Sequence, residues 1–167
     1  MHLLASVVLV ALLVLAAWRD IATRIIPDEI SLSIAAIGIA LRLSVGWSPL
    51  LWSLATAALL FLALLVLAVR GWLGGGDVKL AAAVAIGLPP YASWDFLLAT
   101  VLAGGVLGLA YIAGRRLALR PRRSGGRHPF RRIMAVEARR FRQGGPLPYG
   151  VAIAAGGALI LLASPGL

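Results

Sequence analysis

The sequence predicts an all-α, polytopic membrane protein of about six transmembrane helices, with its N-terminus and C-terminus on the outer face. Three observations carry that prediction. Apolar residues make up 61% of the 167 residues and charged residues 13%, with a mean hydropathy of +0.96. A soluble domain carries about 45–50% apolar and about 25% charged residues, so a soluble globular enzyme is excluded. The apolar residues fall into runs of spanning length, and the basic residues cluster between them on one predicted side.

A spanning helix needs about 20 mostly apolar residues. Met1–Trp18 holds no charge, and its basic residues, Arg19 and Arg24, follow it. A signal peptide has them before its apolar stretch, so this segment reads as an uncleaved helix. Ile30–Trp47 is interrupted only by Arg42, which is expected to snorkel to the interface. Leu50–Val69 is a clean span, Val78–Leu88 is a short apolar piece ending at Pro89-Pro90, and Phe96–Ala113 and Pro148–Ala163 complete the set. Two of these are short, so five or six spans are compatible with length alone. Gly104-xxx-Gly108 and Ala152-xxx-Gly156 are spaced for close helix packing.

Charge decides the count. Residues 1–114 hold five basic groups and five acids, whereas 115–147 hold eleven arginines against Glu137 alone. Six crossings from an outer N-terminus place Arg19, Arg24, Arg70, Lys79 and the eleven loop arginines inside, leaving only Arg42 outside. That is the positive-inside pattern, and five crossings would give the chain ends opposite preferences. The whole chain, 1–167, then reads as one domain with a basic cytoplasmic loop at about 115–147. The same pattern argues for an anionic lipid surface as the loop's partner and against nucleic acid. Within the loop, Phe130, Ile133, Met134, Ala138 and Phe141 follow helical spacing, compatible with an amphipathic helix on the inner leaflet or an irregular solvated loop.

The chain has no cysteine and two histidines. Thiolate chemistry is excluded, and a histidine metal centre has too few ligands; no metal or other cofactor is expected. The acids remain. Asp20 closes the first helix beside Arg19 and within a turn of Arg24, which fits an interfacial ion pair as well as a functional group. Asp77 follows Gly74, Gly75 and Gly76, whose backbone is free to take positive φ. It reads either as a functional acid on irregular backbone or as a helix N-cap. Taken together, both acids sit at predicted inner-face helix ends. Two carboxylates sharing one proton can activate a water and protonate a carbonyl without metal, thiol or imidazole.

At these residues the sequence resembles the type IV prepilin peptidase family, bacterial membrane aspartic proteases with a Gly-x-Gly-Asp motif. Three stretches carry the likeness, in the family's order: Asp20 to Asp28 with its Ile26-Pro27-Asp28, Gly74-Gly75-Gly76-Asp77-Val78-Lys79, and Pro148-Tyr149-Gly150. The resemblance implies that Asp20 and Asp77 are catalytic. It implies support from Pro27, Asp28, Gly74, Gly75, Gly76, Lys79, Pro148, Tyr149 and Gly150. It implies substrates that are prepilins and pilin-like proteins, cut in the inner membrane after a Gly that ends a short cytoplasmic leader.

Large members carry a cysteine-bearing zinc insertion tied to N-methylation. Only Arg19–Glu29 joins the first two helices here, so the chain is similar to the small members of tight-adherence (Flp) pilus systems, with peptidase activity and no methylation. The alternative is a non-catalytic membrane subunit or pilus-assembly factor. Position 28 is Asp where the family usually has Asn. Asp28 is expected to cap the second helix, since Asp and Asn cap equally well; Lys79 is expected to pair with a carboxylate or a lipid phosphate.

Overall fold

The computed structural model describes residues 2–117 and 147–163, with side chains over 4–113 and 147–163. The basic stretch, including the helical spacing of 130–143, lies outside the described residues apart from its edges. Among the described residues the architecture is entirely helical: α1 His2–Thr23, α2 Asp28–Val45, α3 Trp47–Val69, α4 Gly75–Ile86, α5 Pro90–Leu117 and α6 Tyr149–Ala163. Leu4–Thr23, Trp47–Val69 and Pro90–Ala113 are long and apolar enough to cross a membrane, and Tyr149–Ala163 is a shorter apolar helix. The long helices expose large apolar side chains, among them Leu51, Leu59, Leu62 and Val66 on α3 and Leu98, Val101, Val106 and Leu109 on α5. In water such faces would aggregate; in a bilayer they meet lipid tails.

Helix α4 is the centre of the bundle. Between Asp77 and Ala85 it buries Asp77, Val78, Leu80, Ala81, Ala83, Val84 and Ala85, which is nearly its whole circumference. A helix apolar all round belongs inside. It packs chiefly on α2 and α3, while α6 packs on α1 and α5 and touches α4. One apolar cluster, including Leu13, Ile34, Leu80, Leu88, Phe96 and Ile153, draws its buried residues from every described helix but α3, whose half-buried Leu60 and Leu64 pack against it. Small residues set the approaches. A methyl on Gly38 of α2 would lie 2.8 Å from the Gly87 backbone nitrogen, just past α4, so this crossing is backbone against backbone. A methyl on Gly156 of α6 would lie 2.8 Å from the Thr100 backbone nitrogen of α5. At Gly104 and Gly108 the nearest atoms are at ordinary contact distances, so the close approach belongs to Gly156.

Several local expectations change. Helix α1 runs on to Thr23, so Asp20 lies inside its last turn, about 4.5 Å before the helix end. Helix α4 begins at Gly75, and among the described residues the glycines with positive φ are Gly46 and Gly71. Gly75 and Gly76 are therefore helical, and the tight turn is made at Gly71. Arg42 does not snorkel. It is buried, its Nε donates to Ser53 Oγ at 3.0 Å, and Ser53 Oγ donates to the Leu88 carbonyl at 2.8 Å. The charge sits where α4 has ended and leaves carbonyls without helical partners, a place that favours a cation.

Candidate active site

Asp20 continues the buried stripe of α1. Leu9, Leu13, Ala16 and Asp20 recur at helical spacing and are all buried, so the helix that fills the core also carries the carboxylate into it. Asp20 is 6% exposed. Its Oδ2 accepts the backbone N–H of Gly150, at the start of α6, at 2.9 Å. Gly150 has no room for a side chain: a methyl there would lie 2.9 Å from both Asp20 Oδ2 and Ile26 Cδ1. Pro148 is buried and Tyr149 half-buried just before it. The Pro-Tyr-Gly segment thus delivers an amide to an acid.

Asp77 lies in the first turn of α4 and is 8% exposed. The N-cap of that helix is Gly74, whose backbone is extended at φ −75° and ψ 143°. The Asp77 carboxylate folds back over it, and a methyl on Gly74 would lie 2.8 Å from Oδ2. Gly75 faces open space, and a methyl on Gly76 would meet Ile26 Cβ at 3.4 Å. Ile26 is therefore a shared wedge, touching Gly150 on one side and Gly76 on the other. Through it the end of α1, the start of α4 and the start of α6 meet at one point. Both carboxylates are buried near it, and Asp77 lies within electrostatic range of Asp20 and of Arg24.

Not every expected residue faces this point. Pro27, at φ −60° and ψ 139°, is the N-cap of α2, and its proline ring makes no side-chain cap bond. Asp28 is the first helical residue and does not cap, a correction to the expected role. Both its carboxylate oxygens accept from Lys79 Nζ at 2.9 Å. That pair is 62% and 52% exposed and ties α2 to α4 on the outside of the site. Asp28 is thus no third acid in the cluster, and Lys79 pairs with a carboxylate. Beside the site lies an apolar cavity of about 380 Å³, walled by Leu73, Ala81, Thr100, Gly104, Tyr149 and Ile153. Ala81 is one turn beyond Asp77, so the cavity opens along the same helix face.

Two neighbouring residues drew no site reading from the sequence. Arg24 was read there only as a basic residue within a turn of Asp20, suited to an interfacial ion pair. Its Nη2 donates to Tyr111 Oη of α5 at 3.0 Å. Tyr111 gave no signal beyond being a hydroxyl in an apolar run.

Among the described residues, an all-helical architecture with membrane-length helices and two buried aspartates defines the class as a membrane protein that carries acids in its interior. The type IV leader peptidase family matches residues 7–111, which include both aspartates, and this chain belongs to that family. It is 31% identical over 168 residues to the prepilin leader peptidase/N-methyltransferase of Bacillus subtilis (strain 168). That match covers 97% of this chain and 56% of the relative, so the chain spans little more than half the length of that protein. No solved structure matches it.

Proposed function

We propose that this protein is a membrane-embedded aspartic endopeptidase that removes the short cytoplasmic leader from prepilins and pilin-like proteins, cutting after Gly. The observation that carries the reading is the burial of Asp20 and Asp77 together where α1, α4 and α6 meet. One carboxylate, ionised, takes a proton from water as the oxygen attacks the Gly carbonyl carbon. The other, protonated, gives its proton to the carbonyl oxygen. Collapse of the tetrahedral intermediate breaks the C–N bond, and the released amine leaves with a proton from the pair. The apolar cavity along α4 supports a substrate whose hydrophobic helix lies against the enzyme beyond the cut. The proposal extends to six spans with both termini outside, an active site toward the cytoplasm and an inner-membrane location. It covers the peptidase half of the relative's name and small-form, Flp-type substrates.

The test is co-expression with an Flp-type prepilin, beside Asp20→Asn and Asp77→Asn. A gel shift corresponding to leader loss in wild type, absent in both variants while they still insert, is the expected result. Full activity in either variant removes that residue from the chemistry. No shift with wild type across several prepilins, with insertion verified, transfers the assignment to a non-catalytic assembly factor.

A further inference from the structure

Arg24 stands out from its backbone inward. It follows the last residue of α1 and is, among the described residues, the non-glycine with positive φ, at 58°. Its N–H donates to the Asp20 carbonyl at 2.9 Å, the bond that closes a helix through a left-handed residue. Glycine takes this conformation freely, whereas an L-residue bears roughly 1–2 kcal/mol. A side chain at this position needs a use, since strained backbone persists where the surroundings hold it.

The side chain turns into the protein. Nε and Nη1 are shut away from solvent, and Nη2 donates to Tyr111 Oη at 3.0 Å. A lipid-anchoring arginine would send its guanidinium to the interface; this one reaches α5, and its charge acts on Asp77. Among the described residues the other charged or titratable groups around it are these. Asp20 comes from α1 and Asp77 from α4. Tyr111 comes from α5 and Tyr149 from α6. On α4 and α2, Lys79 and Asp28 are engaged with each other, Glu29 is exposed, and Arg19 is exposed on α1. Among the described residues Arg24 is thus the inward-turned cation whose charge reaches Asp77, and a guanidinium keeps its charge at every working pH.

We infer that Arg24 is a positioning residue for the acid pair: its guanidinium, aimed by Tyr111, holds one of the two carboxylates ionised so that it can activate water. The inference rests on the peptidase reading for its catalytic consequence, though not for its test. Without a nearby cation, two adjacent buried carboxylates retain their protons to higher pH. The water-activating base is then lost at a pH where the native enzyme still has it.

The experiment follows the carboxyl C=O infrared band of the full-length protein in lipid nanodiscs across pH. Asp20→Asn and Asp77→Asn assign the band to the pair. Arg24→Gln is expected to move its titration to higher pH by about one unit or more, and to move the acid limb of prepilin cleavage with it. Arg24→Lys should restore the native position to within about half a unit, as expected when charge is what matters. Arg24→Gly, which relaxes the backbone and removes the charge, should shift like Arg24→Gln. Tyr111→Phe, which keeps the charge but releases its aim, should fall between. A band that titrates in Arg24→Gln or Arg24→Gly as it does in wild type overturns the inference. If wild type cleaves no prepilin, the peptidase reading fails, while the infrared titration still decides the part played by Arg24.

Discussion

The backbone N–H of Gly150 meets Oδ2 of Asp20 at 2.9 Å, although 130 residues separate them. This contact makes the start of the last helix part of the acid site. A backbone donor is used because no side chain fits: the wall opposite Gly150 is Asp20 itself together with Ile26. A buried carboxylate needs donors to be tolerated in a low-dielectric interior, and here α6 supplies one by packing against α1.

Gly150→Ala therefore places a methyl 2.9 Å from Asp20 Oδ2 and 3.0 Å from its Cβ. Overpacking of this kind costs about 1–3 kcal/mol. If that cost falls on the transition state, cleavage should drop by about fivefold to about 150-fold, tenfold for each 1.4 kcal/mol, in a protein that still inserts. Native cleavage rates in that variant would falsify the contact.

The three glycines before Asp77 should not be equivalent. Gly74→Ala presses on Asp77 Oδ2 at 2.8 Å, and a side-chain end moves more easily than backbone. Activity should fall while the melting temperature stays near native. Gly75→Ala meets nothing within 4 Å and lies in the first turn of α4, so it should leave cleavage intact. Its lower unfolded-state entropy should add about 0.4–1 kcal/mol of stability. Gly76→Ala meets Ile26 at ordinary contact distance and should fall between. Thermal melts and cleavage rates of the three variants check the order.

Asp28 and Lys79 form an exposed pair away from the acids. Exposed pairs contribute about 0.2–1 kcal/mol. Asp28→Asn, Lys79→Met and the double variant should therefore show a coupling energy under about 1 kcal/mol in a double-mutant cycle. The pH–rate profile of Asp28→Asn should overlay that of wild type. A displaced profile would return Asp28 to the acid cluster.

At the other end of α4, stability rather than chemistry is at stake. Ser53→Ala strips the donor from the buried Leu88 carbonyl and the acceptor from Arg42 Nε. Leaving such groups unsatisfied costs about 1–3 kcal/mol. Gly38→Ala drives a methyl into the Gly87 backbone, which has no flexible atom to yield. Both variants should melt earlier, Gly38→Ala the more so, while the remaining folded protein cleaves at the native rate.

Composition, hydropathy runs and the placement of charge were enough to determine an all-helical membrane chain, because each is a property of a short stretch meeting lipid or water. Asp20 and Asp77 stood out in the sequence as acids at predicted inner-face helix ends, with the Ile-Pro and Pro-Tyr-Gly segments adding weight through the family resemblance, and the structure buries both side chains. What only the tertiary structure decided is which neighbour each side chain finds. Arg42 turns inward to Ser53 because α4 ends beside it. Asp28 lies inside a helix that Pro27 begins, and Lys79 comes within 2.9 Å of it across 51 residues of sequence. Gly150 serves Asp20, and Arg24 reaches Tyr111, because α1, α5 and α6 pack together around small residues. Local periodicity sets which face of a helix is apolar; it carries no information on which distant helix will cover that face. That choice follows from the closest packing available to all the described helices at once.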